Sequence, residues 1–177
     1  AGDRLESTMA AFGSGAVKAS VGSDRLNIDI GGGTTKISRC IDGNVTELTA
    51  IEVGGRILQF DIEGKASHCE PNLLLYMDSG VLPEVGVSLQ DGVLDQIIEH
   101  MTQTVIKAIK GMDLGEAQRL DSISSFPLGG TVVLSGGVSQ WLLPNHQSDI
   151  CDDLGQLLAY NVRESIISEG YNVEIAD

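Results

Sequence analysis

Aromatic residues are scarce in this chain: one Trp, three Tyr and three Phe among 177 residues, or 4%. With 42% of residues apolar, this composition points to an aliphatic α/β interior rather than a binding surface built on aromatic stacking. Basic residues are also few. Eleven Lys and Arg stand against 25 Asp and Glu, and the resulting net charge of −14 argues against DNA, RNA or an anionic membrane surface as the main partner. No apolar run reaches the length of a membrane span, and no signal-peptide pattern opens the chain. Three cysteines, Cys40, Cys69 and Cys151, are widely spaced and form no C-x-x-C pattern, so reduced thiols in a cytosolic protein are the simplest expectation. There is no internal repeat and no low-complexity linker. The length fits one domain with a real core, and because the first residue is Ala1 rather than Met, a piece of something longer is expected.

What is abundant is glycine, and its placement organises the chain. Asn27 to Ile30 reads as a short apolar strand, Gly31-Gly32-Gly33 as a turn, and Thr34 to Cys40 as a second strand. Three adjacent glycines let the backbone turn sharply and let its N–H groups approach a ligand without an intervening Cβ. Such N–H groups form an anion-binding nest, and Thr34 and Thr35 offer hydroxyls beside it. Asp29, at the mouth of the turn, suits a hydrated Mg²⁺ that takes its other ligands from water and phosphate. The plainer reading is a tight hairpin with an ordinary turn Asp. The Asp upstream and the Thr pair downstream favour a loop that holds phosphate and metal.

The remaining elements are read around this turn. Asp3 to Ala19 is a helix interrupted near Gly13-Ser14-Gly15, with Leu5, Met9 and Phe12 at helical spacing. The glycines there mark a hinge, a close approach of another backbone, or a junction between two short helices. A third strand, Val45 to Val53, follows the Asp42-Gly43 hairpin signal and completes an antiparallel meander. At Val53-Gly54-Gly55-Arg56 the glycine pair could let the backbone and Arg56 approach a nucleotide, but a turn is the favoured reading. Ile57 to Asp61 and Lys65 to Cys69 suggest a small hairpin, and Pro71 to Gly80 a short helix. Asp91 is the expected N-cap of an amphipathic helix reaching Lys110, with Val93, Leu94, Ile97, Ile98, Met101, Val105, Ile106 and Ile109 on its apolar face; His100 is read as structural.

The stretch Gly129 to Ser139 holds a continuous apolar run, with the strand at Thr131 to Leu134, that ends in Gly136-Gly137, the pattern of a buried parallel strand feeding a helix. Open α/β sheets bind ligands beyond the carboxyl ends of such strands, and a Gly-Gly there lets a flat ring lie against bare backbone. Asp149 to Ile167 reads as a helix with Leu154, Leu157, Leu158, Val162 and Ile166 inward, and Tyr171 to Ile175 as a terminal strand.

A strand ending D-I-G-G-G-T-T and a later one ending V-L-S-G-G resemble the second phosphate motif and the adenosine motif of the actin-like ATPase superfamily. Within it the chain is similar to the EutA family of ethanolamine ammonia-lyase reactivating factors. The likeness is carried in order by Ala1-Gly2 with Leu5-Glu6-Ser7, Gly13 to Ala16, Leu26 to Thr34, Val53 to Arg56, Leu134 to Val138, and Asp153-Leu154-Gly155 with Leu157-Leu158. These blocks run almost end to end. The closely spaced N-I-D-I-G-G-G-T and V-G-G-R pair is the specific part.

The resemblance implies one actin-like ATPase lobe, ribonuclease H-like, spanning residues 1–177. Its mixed sheet would hold the three-strand meander plus a parallel strand, flanked by helices. It further implies an ATP- and Mg²⁺-dependent, chaperone-like factor that releases damaged cobalamin from adenosylcobalamin-dependent ethanolamine ammonia-lyase. That factor would act in the cytoplasm, associated with a bacterial microcompartment. Carried over residue by residue, Asp29 would hold Mg²⁺ through water, Gly31, Gly32, Gly33, Thr34 and Thr35 would bind the β- and γ-phosphates, and Gly136 and Gly137 would flank the adenosine. Gly13 to Ala16 resembles the hinge helix between lobes.

The family's first D-x-G-T-type phosphate loop has no counterpart before Asp29. The other wall of the site is therefore expected from an N-terminal lobe outside these residues, and the usual closing strand is expected beyond Asp177. No catalytic residue is assigned within the chain. The open alternatives are a lobe of another actin-like ATPase, such as a sugar kinase or exopolyphosphatase, and a non-catalytic interaction domain whose glycine turns are only structural.

Overall fold

The computed structural model describes residues 2–144 and 152–176. Its central sheet has five strands, in the spatial order Asn44–Ile51 (β3), Thr35–Ile41 (β2), Asp24–Ile30 (β1), Thr131–Ser135 (β6) and Asn172–Ile175 (β7). Strands β1 (Asp24–Ile30), β2 (Thr35–Ile41) and β3 (Asn44–Ile51) form the antiparallel meander, joined by the glycine turn and by the Asp42-Gly43 hairpin. Both Asp42 and Gly43 have positive φ, the conformation a two-residue hairpin turn of this type needs. Strand β6 (Thr131–Ser135) runs parallel to β1 with Asp29 opposite Ser135, and β7 (Asn172–Ile175) runs parallel to β6. The mixed α/β sheet read from the sequence is thus present. A separate two-stranded hairpin, β4 (Leu58–Phe60) and β5 (Ala66–Cys69), covers one end.

Strand period decides which residues meet which layer. On β1, Leu26, Ile28 and Ile30 face the main core, where they join Val132 and Leu134 of β6 and the inner faces of α3 (Val93–Ile109) and α4 (Gly155–Ser168). Each of these fully buried aliphatic side chains contributes roughly 1.5–3 kcal/mol of transfer free energy. On the opposite face, Cys40 and Val133 pack beneath Ala11 of α1 (Asp3–Gly13) and beneath Ala16 and Val17 of α2 (Ala16–Ala19). The molecule is therefore three layers: α1 and α2, the sheet, and α3 with α4.

Several expectations are corrected. The helix at the start does break at Gly15, whose φ of 77° no ordinary side chain favours. Its apolar stripe, however, faces water: Leu5, Met9 and Phe12 are 53%, 63% and 62% exposed, while small Ser7 and Ala11 meet the sheet. Helix α3 is capped by Gly92 in the left-handed region, not by Asp91. Helix α4 begins at Gly155, because the Asp153 carboxylate takes the Gly155 N–H at 2.7 Å and sets the turn before it. The part of that expected helix from Asp149 to Cys151 lies outside the described residues, as do Ala1 and Asp177. Leu157 is 40% exposed rather than inward. The segment Pro71–Tyr76 is a 3-10 helix. His100 is structural, with Nδ1 at 3.2 Å from the Tyr76 carbonyl.

Candidate functional site

The parallel pairing of β1 and β6 brings the ends of both strands, and so both glycine turns, to one edge of the sheet. Val138 N–H donates to the Ile30 carbonyl at 3.1 Å and ties the two turns together. Gly136, at φ 86°, sits where a Cβ would lie 2.5 Å from Asp29 Oδ1 and 2.6 Å from the Ile30 carbonyl oxygen. Only glycine lets β6 pass that close to the Asp29 carboxylate.

The V-G-G-R block packs onto the same edge. Gly55 N–H donates to the Gly31 carbonyl at 3.0 Å and Arg56 N–H to the Gly32 carbonyl at 2.7 Å. A Cβ on Gly54 would lie 2.3 Å from the Gly32 carbonyl oxygen, and one on Gly55 would lie 2.7 Å from Val138 Cγ2 and 3.1 Å from Gly155 Cα. Leu154 N–H closes the cluster by donating to the Gly55 carbonyl at 2.8 Å. Val53 to Arg56 is therefore a backbone buttress behind the glycine turn. Arg56 itself is 73% exposed and lies 3.7 Å from Asp153.

In front of the buttress the turn is open. Gly31 N–H closes the turn on the Thr34 carbonyl at 3.0 Å, whereas among the described residues the N–H groups of Gly32 and Gly33 have no protein acceptor. Among the described residues, and apart from the chain neighbours, no atom lies within 4 Å of where a Cβ would stand on Gly33 or on Gly137. Thr35 is fully buried and its hydroxyl donates to the Val53 carbonyl at 2.8 Å, so it faces the buttress rather than the open side. Asp29, Gly136 and Gly137 line one cleft of about 320 Å³ together with Gly13, Ser14 and Ser135, while Gly31 to Thr34 sit on the same edge outside that lining. A larger cavity of about 440 Å³, between Met77 and Gln96, shares no residue with the turns.

Burial pushes the Asp29 carboxyl above the usual range, and the positive charge of Lys36 offsets part of that shift. One strand step deeper on the same face, Ser135 Oγ donates to Asn27 Oδ1 at 3.1 Å, and Asn27 Nδ2 is buried with no acceptor. A buried donor without a partner is costly unless water or a bound polar group takes it.

Lys36, Arg119, Glu52 and Asn72, linked to one another and to the turn through Asp3, carry no motif and escape sequence reasoning. Lys36, cross-strand from Asp29, donates from Nζ to Thr34 Oγ1 and lies 3.3 Å from Asp3 Oδ1 and 3.1 Å from Glu6 Oε2 on α1. Asp3 is also bonded by Arg119 Nε at 2.9 Å, and the same guanidinium reaches Glu52 Oε1 at 2.6 Å. Glu52 Oε2 accepts from Asn72 Nδ2 at 2.8 Å, and that amide also approaches the Gly33 carbonyl at 3.5 Å. This chain of polar side chains leaves the turn at Thr34 and returns to it at Gly33. Burial opposes ionisation of Asp3, but the bonds from Arg119 and Lys36 prevail and hold its carboxyl below the usual range. Arg119 is placed by the pairing of its N–H with the Ala50 carbonyl at the edge of β3.

The donor set fits a polyphosphate with a hydrated divalent cation. At the turn lie two backbone N–H groups without a protein acceptor among the described residues and the Thr34 hydroxyl, and one carboxylate stands at the mouth. Among the described residues no group of three His, Cys, Asp or Glu side chains is placed to hold a metal by itself. A cation at Asp29 would therefore complete its shell with water and phosphate oxygens. No helix of the described residues is long and apolar enough to cross a membrane.

A family model described as ethanolamine utilisation protein EutA matches residues 1–176. The chain is 32% identical over 168 residues to the ethanolamine ammonia-lyase reactivase EutA of Escherichia coli strain K12, covering 90% of this chain and 36% of that protein. It is 31% identical over 173 residues to the Salmonella typhimurium strain LT2 protein of the same name, covering 93% of this chain and 37% of that protein. The chain thus spans just over a third of the length of the curated relatives it matches.

Proposed function

The chain belongs to the EutA family of ethanolamine utilisation proteins, and from that premise we propose that it forms one lobe of an actin-like ATPase within a reactivating factor for ethanolamine ammonia-lyase. The factor would use ATP and Mg²⁺ to help release damaged cobalamin from the lyase, in the cytoplasm and in association with a microcompartment. One observation carries the reading. The glycine turn after β1, the Gly136-Gly137 turn after β6 and the V-G-G-R block converge on a single sheet edge, with the Asp29 carboxylate between the two turns. One ligand can reach both turns only in such an arrangement.

In this reading Gly32 and Gly33 bind phosphate oxygens through their N–H groups, and Thr34 adds its hydroxyl. Gly31 and Thr35 serve the same group indirectly: the first closes the turn on Thr34, the second anchors it to Val53. Gly136 and Gly137 leave room for the adenosine. Asp29 holds the hydrated metal, and its buried setting strengthens any charge–charge interaction made there. Mg²⁺, when bound, supplies the positive charge that neutralises the phosphates. Phosphoryl transfer needs charge-stabilising groups on all sides of the terminal phosphate. We assign the opposing wall to the part of the protein corresponding to the rest of the relatives' length, and the lyase to the partner role.

The test is reactivation of inactivated ethanolamine ammonia-lyase by the intact protein carrying Asp29→Ala. The variant should keep its fold by circular dichroism and lose Mg-ATP-dependent reactivation. Reactivation at the wild-type level would reject the site.

A further inference from the structure

The order of strands along the edge is β6, β1, β2. At that edge Gly136 and Gly137 follow β6, Gly31 to Gly33 follow β1, and Thr34 leads into β2 with Lys36 just inside it. Neighbouring strands are about 4.8 Å apart, so the Thr34–Lys36 end stands roughly 10 Å from the Gly136-Gly137 end. A ligand whose ring lies at β6 and whose phosphates run across the turn brings its last phosphate, and only its last, to Lys36. We infer that Lys36 reads the terminal phosphate, so that the site distinguishes a nucleoside triphosphate from a diphosphate, and that Asp3 and Glu6 of α1 compete for the same ammonium. The inference rests on the nucleotide reading of the site.

Lys36 is built for this role and not for the surface. Its side chain is 10% exposed, and its ammonium is shared between the turn hydroxyl of Thr34 and the two α1 carboxylates. A phosphate arriving at Thr34 meets a cation already in hydrogen-bond reach of that hydroxyl, and charge-assisted bonds to phosphate are the stronger kind. Every bond the ammonium makes to that phosphate weakens its hold on Asp3 and Glu6. Asp3 keeps Arg119 as a second partner, whereas Glu6, 48% exposed, has no other basic partner among the described residues and is left to water. Helix α1 also supplies Gly13 and Ser14 to the cleft at its other end. The phosphate count at the turn is therefore felt by the helix that lines the Gly136-Gly137 side.

Calorimetric titration of the intact protein with Mg-ATP and with Mg-ADP tests this. Lys36→Met keeps the buried stem and removes the charge; it should weaken Mg-ATP binding about tenfold and leave Mg-ADP within about twofold. Glu6→Gln, at a half-exposed position that leaves the fold undisturbed, should tighten Mg-ATP several-fold with Mg-ADP unchanged. Equal losses for the two nucleotides in Lys36→Met, or no change for either in Glu6→Gln, would overturn the role of Lys36 while the nucleotide site stands. A wild-type protein that binds neither nucleotide would overturn the site reading itself, and this inference with it.

Discussion

Gly54→Ala probes the buttress directly. The added methyl would stand 2.3 Å from the Gly32 carbonyl oxygen and 2.5 Å from the Gly33 carbonyl carbon, both backbone atoms that cannot rotate aside. A carbon–oxygen approach of about 3.3 Å is the ordinary limit, so the buttress and the turn must separate by roughly 1 Å. That separation strains or breaks the Gly55 and Arg56 hydrogen bonds to Gly31 and Gly32, now 3.0 and 2.7 Å. Each is worth about 1 kcal/mol net, and overpacking adds about 1–3 kcal/mol. The expected loss is about 3–5 kcal/mol, which for a domain of this size lowers Tm by roughly 6–20 °C. Gly33→Ala is the matched control: its methyl meets nothing within 4 Å and its φ is not positive, so stability should change by less than about 0.5 kcal/mol. Thermal and urea unfolding of both variants decide the matter. A Gly54→Ala protein whose Tm stays within about 2 °C of wild type would refute the claim that V-G-G-R is a backbone buttress.

Gly33→Ala and Gly137→Ala should both fold normally yet bind Mg-ATP several-fold more weakly in calorimetric titration, since each methyl enters space the protein leaves open. Asp29→Asn should raise stability near neutral pH. The folded carboxyl titrates above its unfolded value of about 3.9, so the wild type loses stability as pH rises through that window and the variant does not. The gain should vanish in unfolding experiments at about pH 3, and a gain that persists there would contradict the assignment. Arg119→Met should cost no more than about 1 kcal/mol, and less in high salt, because more than a third of the side chain faces water. If the chain carries one wall of the proposed site, it alone should release phosphate from Mg-ATP no faster than buffer controls, since phosphoryl transfer requires groups on all sides of the terminal phosphate. Steady turnover by the purified chain would show that no opposing wall is needed.

The sheet was legible because its signals are local. Asp42-Gly43 and the three glycines fix the hairpins, and the unbroken Val132–Leu134 run marks a strand buried on both faces. Side assignment was less legible. Periodicity says that Leu5, Met9 and Phe12 share a face of α1, but small Ser7 and Ala11 pack closer to the sheet and win it. The start of α4 was hidden because Asp153 caps by a turn two residues long, which has no apolar signature. At the candidate site, Asp29 and the glycines announced themselves by chemistry and spacing. Lys36, Glu52, Asn72 and Arg119 did not, since what joins them is tertiary: four segments spread over more than eighty residues meet only once the sheet is assembled. For V-G-G-R the residue types gave the turn, while its target, the carbonyls of Gly31 and Gly32, became visible only in three dimensions.

Hydrogen exchange of the intact protein, with and without saturating Mg-ATP, addresses the central claim most directly. If the two glycine turns form one nucleotide face, protection should appear together and saturably in the segments spanning 27–38 and 132–140, and the segment 77–93 around the larger cavity should not change. Protection confined to 77–93, or protection of one glycine turn without the other, would contradict it.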